Sequence, residues 1–316
     1  LLIFTFIPLA LMASVAYFRA RSLLREQAVS QLDSLITNQM AVVGEDVLAK
    51  EIFLKGKLEE TDTAGLVTAA LDEDAQSSQL SVIRRDLIDT LTEEPSNSFD
   101  DFFIVDKDGV IHLATNTEWQ GVILDPAFFN FAGQQSKLLQ GLAPIFENKP
   151  LLITTININS DGVFVGITHG KDLQDLLQPL NGLAPYATSY FIVSGDQIIT
   201  TDTSTGSLSP ATVTDTAKAQ FQKDLEALKI DNAEASRTLD MELSEGEKVL
   251  AQTKWASFIQ TGVVLAVKSD IIFANINSLT PFTILLVVGS ILAMSVFLFY
   301  GTNRVVKPLN TLSEMA

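Results

Sequence analysis

Hydrophobic and polar positions divide this chain into five zones. Residues 1–18, LLIFTFIPLALMASVAYF, carry no charge. At about 1.5 Å per residue, eighteen helical residues cover roughly 27 Å, near the thickness of a bilayer core. The pattern predicts a first membrane span, with Pro8 tolerable inside it. A secretory signal peptide is the alternative reading, but no small-residue cleavage site stands out and a charged helical pattern follows at once. From 22 to about 60, Leu24, Ala28, Leu32, Leu35, Val42 and Leu48 recur at near-helical spacing among polar residues, predicting a long helix. Gly56 and Thr61-Asp62 loosen its far end. A second helix is expected over about 65–91, with Leu80, Ile83, Leu87 and Leu91 on one face and Pro95 beyond its end.

The period then changes. Phe102-Phe103-Ile104-Val105 is a short apolar run, Lys107-Asp108-Gly109 a turn with the Asp-Gly pair favoured in hairpins, and Val110 to Leu113 the returning strand. The pattern recurs 88 residues later without a gap: Phe103 aligns with Phe191, Ile104 with Ile192, Val105 with Val193, Asp108 with Asp196 and Ile111 with Ile199. This is an internal repeat of a hairpin-started module. Downstream of the first hairpin, strands are expected at 151–158 and 163–168. Downstream of the second they are expected at 238–243 and 248–253, then 262–267, with a helix from about Ser269. Each module is then an antiparallel sheet with helices to one side, and the fold class is α+β. The last apolar zone, FTILLVVGSILAMSVFLFY, follows Pro281 and predicts a second span over 281–300, with Tyr300 suited to an interface.

The order of these zones resembles the double Cache domain of bacterial receptors. A long N-terminal helix and two tandem PAS-like antiparallel-sheet modules stand between two transmembrane helices. The resemblance rests on DFFIVDKDGVIHLATNTEWQG, VFVGITHGKDL, SYFIVSGDQIITTD and SEGEKVLAQTKW. It implies a sensor over 19–278, with long helices at 22–93, a membrane-distal module at 99–178 and a membrane-proximal module at 186–268. Residues 301–316 contain RVVKPLNTLSEMA, which is similar to the start of a HAMP linker. Pro308, Leu309 and Leu312 would there pass a signal into a parallel helical bundle, which implies a homodimer. Arg19, Arg21 and Arg25 follow the first span and Arg304 and Lys307 the second, so a simple positive-inside count would put the middle domain in the cytoplasm, but that rule weakens for long translocated domains. HAMP linkers lie in the cytoplasm, which implies a two-pass plasma-membrane protein with 19–278 outside. The missing initiator methionine and the helical pattern running into Ala316 read as truncated ends.

Composition narrows the chemistry. With 38 acidic and 21 basic residues the formal charge is −17, which disfavours nucleic acid as a partner. The absence of cysteine excludes disulfides, thiol catalysis and thiolate metal sites. The two histidines, His112 and His169, have no second ligand at metal spacing. Asp106-Lys107-Asp108-Gly109 lacks the further oxygens of a calcium loop and reads as a turn. No nucleophile elbow, phosphate loop or dinucleotide fingerprint appears, so no catalytic residue, metal or cofactor is expected.

The resemblance places a small-molecule ligand in the distal module, between the sheet and a covering loop. Trp119 and His169 are the leading candidates to touch it, with Thr115, Asn116 and Thr154 as polar contacts. No arginine stands between Arg85 and Arg237. That departs from relatives that grip an amino-acid carboxylate with arginine, and leaves Lys137 or Lys149 as substitutes. The function implied is the ligand-sensing input of a receptor whose output domain (histidine kinase, chemotaxis, cyclase or phosphatase type) lies beyond Ala316. The alternative is a membrane-anchored ectodomain that binds or adheres to another protein.

Overall fold

The structure is a computed structural model and describes residues 2–71, 77–91, 99–129, 135–159, 162–181, 187–194, 197–201, 208–231, 236–244 and 246–274, with parts of 288–300. For residues 2–11 and 13 it describes the backbone alone. Residues 1–30 with 269–316 form one compact unit, and residues 31–268 form another.

The first unit holds the opening of helix α1 (Leu2–Glu59) and a helical stretch at 269–274. The Arg21 guanidinium lies 4.9 Å from the centre of the Phe273 ring, a cation–π contact. Several of its described apolar side chains face outward: Met12, Val15 and Phe18 early on, and Leu292, Val296 and Phe299 late. Among the described residues no helix is long and apolar enough to cross a membrane. Much of the second predicted span, and Pro308, Leu309 and Leu312, lie outside the described residues.

In the second unit, α1 buries Leu32, Ile36, Met40, Val43, Val47 and Leu54. Steps of three and four keep these on one stripe. Of the face read from sequence, Leu32 is buried, whereas Val42 and Leu48 are about half exposed, at 47% and 51%. Apolar residues lie all around this helix, so packing partners and not periodicity choose the buried stripe. The single helix expected over 65–91 is two, α2 (Thr61–Ala70) and α3 (Ser77–Leu91).

The distal sheet contains β1 (Asp101–Asp106), β2 (Ile111–Ala114), β3 (Gln135–Leu142), β4 (Phe146–Asn159) and β5 (Gly162–His169), in the antiparallel order β2-β1-β5-β4-β3. Helix α4 (Gly170–Asn181) leads on to the proximal sheet. That sheet contains β6 (Ala187–Ser194), β7 (Gln197–Thr201), β8 (Leu208–Pro210), β9 (Ser236–Ser244), β10 (Glu247–Ala256) and β11 (Thr261–Lys268), with helix α5 (Asp215–Asp231) between β8 and β9. Its order, β8-β7-β6-β11-β10-β9, repeats the distal topology with β8 added at one edge. The repeat read in the sequence is structural as well. Phe103 pairs across to Val165 and Phe191 across to Val263, and both phenylalanines are fully buried.

Each sheet has two occupied faces. In the distal sheet Phe102, Ile104, Ile156 and Phe164 pack against Leu54, Val67, Ile83 and Leu87 of the helices. Phe102 and Phe164 stack with centroids 5.4 Å apart. A side chain of this size contributes about 1.5–3 kcal/mol when fully buried. In the proximal sheet the equivalent face, with Ile192, Ala251 and Val264, is covered by Ala217, Phe221 and Leu225 of α5. Gly262 leaves room there for Leu225, which a Cβ would strike.

The Asp106 turn carries a pH signature. Burial alone would push the Asp106 carboxyl up. The bonds it takes from His112 (2.8 Å) and from the N–H groups of Val110 and Asp108 (2.9 Å each) outweigh that and hold it below the ordinary carboxylate range. An acid lowered by folding stabilises above its unfolded value, about 3.9, and that stability is lost as pH falls through the folded value. Urea melts at pH 6 and pH 3 are expected to show acid destabilisation that shrinks in Asp106→Asn. An unchanged acid limb would sever the link to this turn.

Candidate functional site

The distal sheet's second face is the one to which the helices do not pack. Alternation along the strands puts Asp101, Phe103 and Val105 of β1 on it, with Val163, Val165, Ile167 and His169 of β5 and Leu151 and Ile153 of β4. The corresponding proximal face is used by α1: Gln252 donates to Asp33 at 3.3 Å and Lys254 to Thr37 at 2.8 Å. Among the described residues, only the distal copy covers this face with its own loop.

That loop is built by short-range bonds. The Thr115 hydroxyl takes the Phe102 N–H at 2.7 Å and gives to the Phe102 carbonyl at 3.0 Å, extending the β1 ladder by one residue. Asn116 Oδ1 takes the Glu118 N–H at 3.0 Å and caps the 3-10 turn Thr117–Trp119. Beyond Gly121 the chain runs back along β2, with the Ile111 N–H donating to the Val122 carbonyl at 3.0 Å. Asp125 caps a second 3-10 turn, Pro126–Phe128. The sequence thus spends the Thr115 side chain on the backbone of β1 and that of Asn116 on the backbone of the covering loop.

Three rings form a row across this face. Trp119 meets Phe146 edge-on at 5.1 Å, and Phe146 lies 5.3 Å from the His169 ring. His169 Nε2 stands 3.0 Å from Asp101 Oδ2, and these side chains are 34% and 21% exposed. The His169 main-chain N–H donates to Asp100 Oδ2 at 2.7 Å. Trp119 and His169, far apart in sequence, are brought to one site. Thr154 is not: alternation places it on the helix-side face with Ile156, where its hydroxyl meets Ser136 at 3.0 Å in a buried pair. Lys137 shares the site's face on β3, in the row Lys137–Ile153–Ile167–Asp101 set by strand register.

Phe146, Asp100 and Asp101 were not singled out by sequence. Asp100-Asp101 reads as an ordinary polar lead into a strand, and only cross-strand register carries it to His169. The site offers an apolar aromatic wall and one part-exposed imidazole–carboxylate pair. Among the described residues no serine or threonine hydroxyl bonds to His169, and no group of three or more ligating side chains stands ready for a metal.

No family model matches the chain, and no curated protein matches it. Solved structures do. The sensor domain of the histidine kinase DctB from V. cholerae superposes with a TM-score of 0.50 at 13% identity, over 79% of this chain and 99% of that one. The ligand-binding domain of the Pseudomonas aeruginosa amino acid chemoreceptor PctB, in complex with L-Gln, gives 0.44 at 12% identity over 80% and 96%. That of the Campylobacter jejuni chemoreceptor Tlp3, in complex with L-valine, gives 0.44 at 12% over 80% and 97%. At such identity the DctB match speaks for the fold. It is the double Cache sensor fold that the sequence resembles.

Proposed function

We propose that residues 19–278 are the extracytoplasmic, ligand-sensing input of a two-pass transmembrane receptor. A small molecule binds the distal module between the sheet and its covering loop, against Trp119, Phe146, His169 and Asp101. The observation that carries this is the part-exposed His169–Asp101 pair at the end of an aromatic row, on a sheet face closed by a loop instead of a helix. Such a lid can reshape around a ligand while the helix-packed face stays fixed. The outward-facing Met12, Val15, Phe18, Leu292, Val296 and Phe299 support membrane spans over 1–18 and 281–300. The ligand biases two arrangements of the distal module, and the bias passes through the second span to a HAMP linker beginning at 301 in a homodimer. The output domain lies beyond Ala316, and the segment itself catalyses nothing.

The test is a thermal-shift screen of the full chain in detergent against the L-amino acids, small dicarboxylates and small amines. A ligand at about 100 times its Kd adds about 2.7 kcal/mol. For a sensor of this size that raises Tm by roughly 5–10 °C. Trp119→Ala and His169→Ala are expected to abolish the shift, and Thr154→Val to retain it. A hit that survives both site variants would move the ligand elsewhere. A folded chain with no hit would favour the protein-binding ectodomain.

A further inference from the structure

Behind the site, on the side of the long helix, a buried lysine faces a group of solvent-exposed carboxylates. Lys50 of α1 is 7% exposed. Its Nζ lies 5.2 Å from the centre of the Phe99 ring, and that ring presses on Gly166, where a Cβ would come within 2.6 Å of it. Burying an ammonium costs several kcal/mol unless opposite charges face it. The carboxylates of Asp172, Asp100 and Asp46 do so. Asp172 stands in the first turn of α4, and Asp100, just before β1, lies beside the crossing from β5 to that helix. Asp100 is fixed there by its own N–H, which donates to the Ile167 carbonyl at 2.9 Å, and the Asp172 carboxylate stands near enough to repel its charge. The same Asp100 carboxylate accepts the His169 N–H.

We propose that Asp100 is a positioning residue that couples the site to the long helix: one oxygen holds the His169 backbone while the carboxylate pair it forms with Asp172 faces Lys50 of α1. The inference rests on reading the Trp119–His169 face as the ligand site. A ligand that shifts His169 pulls on Asp100, and the countercharge of Lys50 must follow or be left buried beside a weaker partner. Conversely, moving α1 changes the charge balance under His169. Burial, and after it the neighbouring Asp172, push the Asp100 carboxyl up, while the His169 N–H works the other way. These two neighbouring carboxylates, both open to solvent, draw part of their balance from the ammonium. Without Lys50 their repulsion turns Asp100 away from the His169 N–H.

The chain has two histidines, so labelling histidine alone with ¹⁵N gives two main-chain signals. Amide exchange of the full chain in detergent then reads His169 against His112 as internal control. Lys50→Met and Asp100→Asn are each expected to speed exchange at His169 about tenfold, the scale of one charge-assisted hydrogen bond, and to leave His112 unchanged. The double variant is expected to be no faster than Asp100→Asn alone. Wild-type exchange at His169 in Lys50→Met, with Asp100→Asn faster, overturns the coupling. Should Lys50→Met fail to fold, Asp172→Asn replaces it without change of volume. Faster exchange at His169 alone then upholds the proposal, while no change, or equal acceleration at both histidines, refutes it. No ligand is added, so a failed ligand screen and a failed coupling are separate results.

Discussion

Gly109→Val is expected to destabilise the distal module by about 3 kcal/mol and to unseat its covering loop. Gly109 closes the β1–β2 turn with φ +83°, a region that costs a branched side chain about 1–2 kcal/mol. The larger obstacle is spatial. A Cβ there would collide with the Leu124 carbonyl oxygen, and the chain cannot withdraw easily, because the Leu124 N–H donates to the Gly109 carbonyl at 2.8 Å. Overpacking of this kind costs about 1–3 kcal/mol. Leu124 anchors the loop that carries Trp119, so the variant is expected to lose the Trp119–Phe146 contact as well as stability. Urea midpoints and tryptophan fluorescence in a Trp255→Phe background measure both. Gly109→Asn separates the two causes, since asparagine tolerates positive φ but keeps the Cβ. If Gly109→Asn were as stable as wild type, the collision with Leu124 would be disproved.

Phe221→Ala is expected to cost about 3–5 kcal/mol and to act on the proximal module. Phe221 is fully buried and packs α5 onto Ile192, Ala251 and Val264. The chain has two tryptophans, Trp119 against the distal cluster and Trp255 against the proximal one. Single-tryptophan variants can therefore melt each module separately. Phe221→Ala should bring the Trp255 transition forward more than the Trp119 transition, and Phe103→Ala the reverse. The two modules also share a bond, from the Leu138 N–H to the Ile259 carbonyl at 3.0 Å. Equal displacement of both transitions in both variants would show one cooperative unit and overturn the separation of cores.

What the sequence displayed, and what it hid, follows from the range of the interactions. The two hairpins were legible because a short apolar run, a turn and a second run are local signals. Their alignment at 88 residues marks two copies of one strand order. Helix α5 was missed, although Ala217, Phe221, Leu225 and Leu228 stand at helical spacing and are buried; the polar residues between them dilute the pattern. Strand β3 was missed because Gln135–Leu142 alternates only weakly. On α1 the stripe was right at Leu32 and wrong further along, since Val42 and Leu48 look as apolar as Val43 and Val47 and only tertiary packing separates them. Trp119 and His169 stood out as rare residues near strand ends. Phe146 and Asp101 did not, for their roles arise where β4 and β1 flank β5. Thr154 was plausible by residue type, but the parity of its strand turns it to the other face.

Strand β1 is clasped at both ends. Asp101 at its start meets His169, and Asp106 at its end meets His112. Since side chains alternate along a strand, a slip of one residue would turn Phe103 and Val105 from one core to the other. The same slip would break both histidine contacts together. The two pairs thus act as paired alignment pins on the central hairpin, rejecting shifted registers that the apolar run Phe102-Phe103-Ile104-Val105, greasy on both faces, would otherwise tolerate. In this chain the only two imidazoles are spent on keeping one strand in step, and one of them does so while lining the site.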